Sequence, residues 1–306
     1  MEANPSIAVL IPCHNEAATI AKVIEDFRAQ LPQAAIYVFD NCCTDESAAI
    51  AASGGATVIR ESRKGKGFVV ETMFDNVQAD YYVMVDGDDT YPAESVRGLL
   101  EPVMRGEADM AVGARLSQYD HKSFRPLHVA GNNLIRRLIN SMYKANLTDI
   151  LSGYRAFNRK LVQRVPVVSS GFEVETELTI QALYHRLRIV EVQVPYRSRP
   201  AGTHSKLDTF RDGFRVLWKI FSLFRAIKPL TFFGGAGLLL FLLGILAGIW
   251  PIHDYVTKHW GYHVPLAILA TGLMILSAGS IFLGVLLHAI NWRFKELHNV
   301  MVRGRQ

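Results

Sequence analysis

Cysteine is scarce in this chain of 306 residues, with only Cys13, Cys42 and Cys43 present. Three thiols build no disulfide framework, and their spacing suits no zinc site, so the sequence points to a reducing compartment. No basic n-region opens the chain, so no signal peptide is expected and the N-terminal part should stay in the cytoplasm. A Gly-x-x-x-x-Gly-Lys-Ser/Thr loop is also missing, which excludes a P-loop nucleotide hydrolase. No basic-aromatic recognition module is visible, so the net charge of +5 is read as attraction to anionic lipid and phosphate, with no nucleic acid partner. Most informative is the absence of charge from two long runs, 229–252 and 259–292.

Each run exceeds the ~20 residues that cross a bilayer as a helix. Two transmembrane helices are expected, at about 230–252 and 264–288, joined by a short extracytoplasmic loop. Arg225 and Lys228 precede the first span, and Arg293, Lys295, Arg303 and Arg305 follow the second, whereas the loop holds only Lys258. Basic flanks stay inside, which predicts an integral inner-membrane protein with both termini cytoplasmic. Small residues in the spans (Gly234, Gly235, Gly237, Gly244, Gly248, Gly272, Gly279) permit close packing within a protomer or in a homo-oligomer.

The first 207 residues form the expected catalytic domain, followed by a juxtamembrane helix at 208–228, the spans within 229–292 and a basic tail at 293–306. Short apolar runs at 7–11, 36–39, 57–59, 81–85, 110–112 and 189–194 alternate with helical stretches at 17–31, 44–53, 68–77, 93–104, 125–144 and 173–185. This alternation predicts an α/β fold, a mostly parallel sheet with helices on both faces. In the juxtamembrane helix, Phe210, Phe214, Leu217, Phe221 and Phe224 make one stripe, and Arg211, Arg215 and Lys219 recur on another face. An amphipathic helix placed directly before a span is expected to lie in the headgroup layer.

Ligands of such sheets bind beyond the carboxyl ends of the strands. There the sequence places Glu16, Asp40 and the run Asp86-Gly87-Asp88-Asp89. Gathered carboxylates repel one another, and a divalent ion would resolve the conflict; hard oxygen ligands favour Mg²⁺ or Mn²⁺, with a nucleotide diphosphate completing the shell.

Ile11-Pro12-Cys13-His14-Asn15-Glu16, Val38-Phe39-Asp40-Asn41, Gly65-Lys66-Gly67 and Asp86-Gly87-Asp88 together resemble the family 2 glycosyltransferases of the GT-A, Rossmann-like fold. Gly113-Ala114-Arg115, Ser152-Gly153-Tyr154-Arg155 and the segment from Arg199 through Ser205-Lys206 resemble its polyprenyl-phosphate branch, which includes dolichol-phosphate mannose synthases and bactoprenol glucosyltransferases. Cys42-Cys43 departs from the small polar residues common in the family at that point.

The resemblance implies that Pro12, Asn15, Glu16, Asp40, Lys66 and Asp86 bind the nucleotide, and that Asp86 and Asp88 hold the metal. Arg115, Ser152, Arg155, Arg199, Ser205 and Lys206 would bind phosphate or acceptor. Asp149 is the candidate base, or an orienting group, since a lipid phosphate is already largely ionised. For Glu173, Glu175 and Glu177, acids favoured by a helix N-terminus and a catalytic role stand level. The implied reaction is inverting transfer of one monosaccharide, UDP-glucose favoured as donor, to polyprenyl (undecaprenyl) phosphate on the cytoplasmic leaflet. Alternatives are a GDP-mannose-dependent polyprenyl-phosphate mannose synthase and a non-catalytic membrane scaffold with a transferase-like head. A processive polysaccharide synthase is disfavoured, since its Gln-x-x-Arg-Trp motif is missing.

Overall fold

A computed structural model describes residues 5–115, 136–137, 139–198, 209–258 and 263–303. The chain divides into two compact units, Met1–Lys219 and Ile220–Gln306. Arg199, Ser205 and Lys206, and most of the helix predicted at 125–144, lie outside the described residues.

In the first unit, strands β1 (Ile7–Cys13), β2 (Ala35–Asn41), β3 (Thr57–Glu61), β4 (Tyr81–Met84), β5 (Met110–Arg115), β6 (Arg155–Asn158) and β7 (Ile189–Val194) form one sheet in the order β3-β2-β1-β4-β6-β5-β7. Every pairing is parallel except those of β6, which runs antiparallel to β4 and β5. The helices are α1 (Ile20–Gln30), α2 (Ser47–Ser53), α3 (Lys66–Asn76), α4 (Val96–Met104), α5 (Arg159–Arg164) and α6 (Val174–Tyr184).

Strand alternation builds both cores. Val9, Ile11 and Cys13 face a cluster with Ile20, Ile24 and Phe27 of α1 and Val96 and Leu99 of α4. Ala8 and Leu10 face the opposite cluster, with Val69 and Met73 of α3, Leu161 of α5 and Leu178 of α6. The strand order reverses between β1 and β4, so the crevice for a ligand opens at their carboxyl ends, where Cys13 and Asp86 emerge.

β6 has no counterpart among the apolar runs read from the sequence. Only four residues long, it leaves little periodicity to read, and its pairing on both sides fixes it. α1 begins three residues later than predicted, because residues 17–19 form a turn whose Thr19 hydroxyl donates to Gly87 O (2.6 Å). Lys66 is the first residue of α3, which begins two residues earlier than the predicted 68–77. Its flanking glycines are required: a Cβ at Gly65 (φ 143°) would stand 2.0 Å from Ser170 O, and one at Gly67 1.9 Å from Ser169 O.

Helix α7 (Thr209–Ile227) exposes Phe214, Trp218 and Phe221. The second unit holds the end of α7 and a pair of helices, α8 (Pro229–Lys258) and α9 (Val264–Arg303), both long and apolar enough to cross a membrane. Large side chains such as Leu246 (62% exposed) and Phe282 (69% exposed) point outward all along the pair, a surface that suits lipid and not water. Where the helices meet, Ser277 Oγ donates to Gly237 O (2.7 Å) and Ser280 Oγ to Phe233 O (2.8 Å). Gly237 permits this approach, since a Cβ there would lie 2.6 Å from Ile281 Cγ1. At the connected end, His263 Nδ1 lies 2.5 Å from Asp254 Oδ2.

At the end of β3, Glu61 Oε1 accepts from Arg63 N (2.7 Å) and Nε (3.0 Å), Oε2 accepts from Arg63 Nη2 (2.8 Å), and the Thr72 hydroxyl of α3 also donates to Oε2. The Arg63 hydrogen bonds, against the cost of desolvation and helped by Thr72, bring the Glu61 pKa down from 4.5 to about 2. A depressed acid stabilises the fold above its unfolded pKa and loses that contribution as pH falls through its folded one. Thermal melting of the full chain in detergent, followed by near-ultraviolet circular dichroism, should show stability falling from about pH 4.5 towards about 2. Glu61→Gln should melt lower at neutral pH and show a flatter acid limb.

Candidate active site

At the crevice, Asp86 follows β4 and its Oδ1 accepts from Lys66 Nζ at 2.5 Å. The same ammonium lies 2.5 Å from Glu175 Oε1, in the first turn of α6. Burial disfavours the Lys66 charge, but Asp86 and Glu175 together outweigh it and hold the ammonium above the ordinary lysine value. Gly153 makes room for Asp86: a Cβ there would lie 2.4 Å from Asp86 Oδ2. Asp88 is buried, and its Oδ1 accepts from the Thr90 hydroxyl (2.6 Å) and Thr90 N (3.2 Å).

The strand ends on the other side of β1 are tied to one another. Asn15, in the left-handed region (φ 55°), accepts from Thr44 N (2.7 Å), and Glu16 N donates to Ser47 Oγ (2.8 Å). Asp40 Oδ1 accepts from Cys43 N (2.8 Å), a bond that shapes the turn after β2. Asn41 Oδ1 accepts from Gly65 N (2.8 Å), joining this edge to the Lys66 turn. Pro12 lies within β1 and pairs with Phe39 in register.

Asp149 is engaged on both oxygens: Arg115 Nε donates to Oδ2 (2.6 Å) and Nη2 to Oδ1 (2.9 Å). The paired contacts hold the guanidinium in a single orientation. Arg115 also lies over the Tyr196 ring, 5.4 Å from its centre. Glu191 of β7 fixes the segment, accepting from Thr148 N (2.7 Å) and Asp149 N (2.8 Å).

Two of the expected phosphate-binding residues have other partners in the structure. Arg155 was expected to clamp phosphate, yet it is wholly buried. It donates to Ser152 O (2.9 Å), Ile150 O (2.7 Å) and Thr179 Oγ1 (2.9 Å). Burial lowers its pKa, partly offset by Glu175 and Asp149. As the first residue of antiparallel β6 it projects towards α6 and supports the 150–152 loop from within. Ser152, also expected at the phosphate, is wholly buried and donates to Gly113 O (2.6 Å).

The acidic strand ends also do not pool into one ligand set: among the described residues no three His, Cys, Asp or Glu side chains are placed to hold a metal. Asp86 and Asp88 are hard oxygen donors that fit Mg²⁺ or Mn²⁺ only if a nucleotide's phosphates supply the remaining ligands.

Sequence reasoning left Glu175 undecided and did not single out Tyr91 or Glu191. Tyr91 is buried, its hydroxyl accepts from Gly153 N (3.2 Å), and burial raises its pKa. Only the alternation of β7, which sets a carboxylate among valines, hinted at Glu191.

A mixed sheet of this order, with an acidic turn after its fourth strand, defines the GT-A class of sugar transferases. Residues 8–165 match the Glycosyl transferase family 2 model, and the chain belongs to that family. It is therefore a glycosyltransferase. Glycosyltransferase AglJ of Haloferax volcanii is 31% identical over 270 residues, 88% of this chain and 88% of that protein. A dolichyl-phosphate hexose transferase of the same organism is 30% identical over 210 residues, 69% of this chain and 90% of its own length. Among solved structures, glucosyl-3-phosphoglycerate synthase from Mycobacterium tuberculosis, in complex with Mn²⁺, uridine diphosphate and glucosyl-3-phosphoglycerate, is similar with a TM-score of 0.60. Its identity is 24%, covering 72% of this chain and 80% of that one.

Arg155→Met leaves two buried carbonyls and Thr179 without their donor, at a cost of about 3 kcal/mol. It should lower the melting temperature sharply. Arg115→Lys, which keeps a cation against Asp149 but loses the planar fork, should melt closer to the parent and lose most sugar transfer. The reverse pattern would return Arg155 to the phosphate site.

Proposed function

We propose that the chain transfers one monosaccharide, UDP-glucose being the favoured donor, to a polyprenyl phosphate on the cytoplasmic leaflet. The observation that carries this is the Lys66–Asp86 pair and Asp88 at the switch-point crevice of a family 2 sheet, in a chain that also bears two membrane-length helices. A relative named for dolichyl-phosphate hexose transfer supports the class of acceptor.

An oxygen of the lipid phosphate attacks the anomeric carbon from the face opposite the leaving group. The bond from that carbon to the nucleotide's β-phosphate oxygen breaks, and the nucleoside diphosphate departs with the electron pair. Configuration inverts, and no proton need leave the ionised nucleophile. Asp86 and Asp88 would hold Mg²⁺ or Mn²⁺ together with the donor's phosphates, and the ion would supply positive charge to the leaving diphosphate. Pro12, Asn15, Glu16 and Asp40 border the nucleoside. Asp149 orients Arg115, whose guanidinium is set to meet phosphate oxygens as they gain charge. Arg199, Ser205 and Lys206 would add donors for the acceptor. The basic flanks of the spans support a topology with both termini in the cytosol, and α7 would lie in the headgroup layer with Phe214 and Trp218 towards the acyl chains.

The test supplies full-length protein with undecaprenyl phosphate and radiolabelled UDP-glucose or GDP-mannose. Label should enter lipid from UDP-glucose, depend on Mg²⁺ or Mn²⁺, and fall at least about a hundredfold in Asp88→Ala. Transfer from GDP-mannose alone would reassign the donor. Undiminished labelling by Asp88→Ala would overturn the assignment of Asp88 to the metal.

A further inference from the structure

Glu175 stands apart from the acids around it. Glu173 accepts from Gly171 N (3.1 Å), a bond within its own turn, and Glu177 accepts from Val168 N and Ser169 N. Glu175 alone reaches out of α6 to the crevice, where its carboxylate touches Lys66 Nζ. The contact is built from both sides. Gly67 N donates to Ser170 O (3.3 Å), and the backbone of Gly65 and Gly67 presses on Ser169 and Ser170, so the start of α3 is held against the segment that leads into α6. Lys66 and Glu175 side chains are each at most 10% exposed.

This arrangement bears on Asp86. Lys66 was expected to offer its charge to the nucleotide, but in the structure the ammonium is committed to two carboxylates. With one carboxylate partner, it would neutralise Asp86 outright. With two, the group of Lys66, Asp86 and Glu175 carries one net negative charge, and Asp88 brings the total to two. That total complements a divalent cation; without Glu175 it falls to one. A buried ion pair is weak evidence for stability, since apolar replacements often serve as well, so the placement is better explained by what it does to the crevice.

We infer that Glu175 is a positioning residue of the donor site: by sharing the Lys66 ammonium it leaves Asp86 oriented and negatively charged for the divalent ion and nucleotide diphosphate. This rests on the assignment of Asp86 and Asp88 to the metal. Partners that orient metal ligands from behind change affinity by about 10–100-fold when removed, and Glu175 stands one ammonium behind Asp86.

The experiment uses the full chain in detergent with UDP present. Mn²⁺ binding is read from the free-ion electron paramagnetic resonance signal, UDP binding from calorimetry, and both are paired with transfer kinetics. Glu175→Gln should raise the Mn²⁺ concentration for half-saturation about tenfold, with kcat at saturating Mn²⁺ recovering most of the parent value. Glu175→Asp, which keeps the charge on a shorter stem, should restore part of the affinity. Parental Mn²⁺ and UDP binding by Glu175→Gln, with only a lowered melting temperature, would reduce Glu175 to a structural ion pair and overturn the inference. Should Glu175→Gln not fold, Glu175→Ala carries the test, and unchanged half-saturation in it would be equally contrary. Asp88→Ala separates the two layers. If it abolishes Mn²⁺ binding while the Glu175 variants bind as the parent does, this inference alone fails. If it binds Mn²⁺ normally, the metal assignment beneath it fails as well.

Discussion

The ammonium of Lys66, shared between Asp86 and Glu175, is the interaction on which the architecture of the site depends. Carboxylates brought to one edge of a sheet repel, and burial makes the repulsion worse. Each acid at this edge is accordingly matched: Asp86 by Lys66, Asp88 by the donors of Thr90, Asp149 by Arg115. Much of the local backbone follows from holding those partners in place. Two glycines let α3 start against Ser169 and Ser170, a third leaves space for Asp86, and Glu61 and Asn41 fasten the chain that delivers Lys66.

The antiparallel strand β6 is the second constraint. Inserted between β4 and β5, it carries the segment from Asp149 to Gly153 past the carboxyl end of β4. The guanidinium of Arg155 supports that segment from inside by bonding two of its carbonyls. Arg115 is thereby left as the guanidinium that meets Asp149 at the crevice. Two arginines near one loop thus divide the work, one as internal scaffold and one at the site.

The strand–helix alternation, the switch-point location and the acidic turns were legible because they rest on local periodicity and on the rule for where open sheets bind ligands. The two long apolar helices were legible from their lack of charge. What stayed hidden depends on tertiary partners. A run of four residues beginning with arginine carries no strand periodicity of its own, and only pairing with both neighbours makes it a strand. Acids at 173, 175 and 177 look equivalent on a helix N-terminus, and only packing of α6 against α3 singles out Glu175. Arg155 and Ser152 were expected at the phosphate because cations and hydroxyls in motifs usually face ligands, yet these two satisfy buried backbone carbonyls instead.

A nucleotide and a divalent ion should meet this chain at the carboxyl ends of β1, β2 and β4. Hydrogen–deuterium exchange of the full-length protein, with and without UDP and Mn²⁺, tests it directly. Slowed exchange is expected in 11–16, 40–43, 63–68 and 86–91, with little change at the opposite ends of the same strands. Protection confined to other segments, or no protection at saturating UDP and Mn²⁺, would contradict the claim.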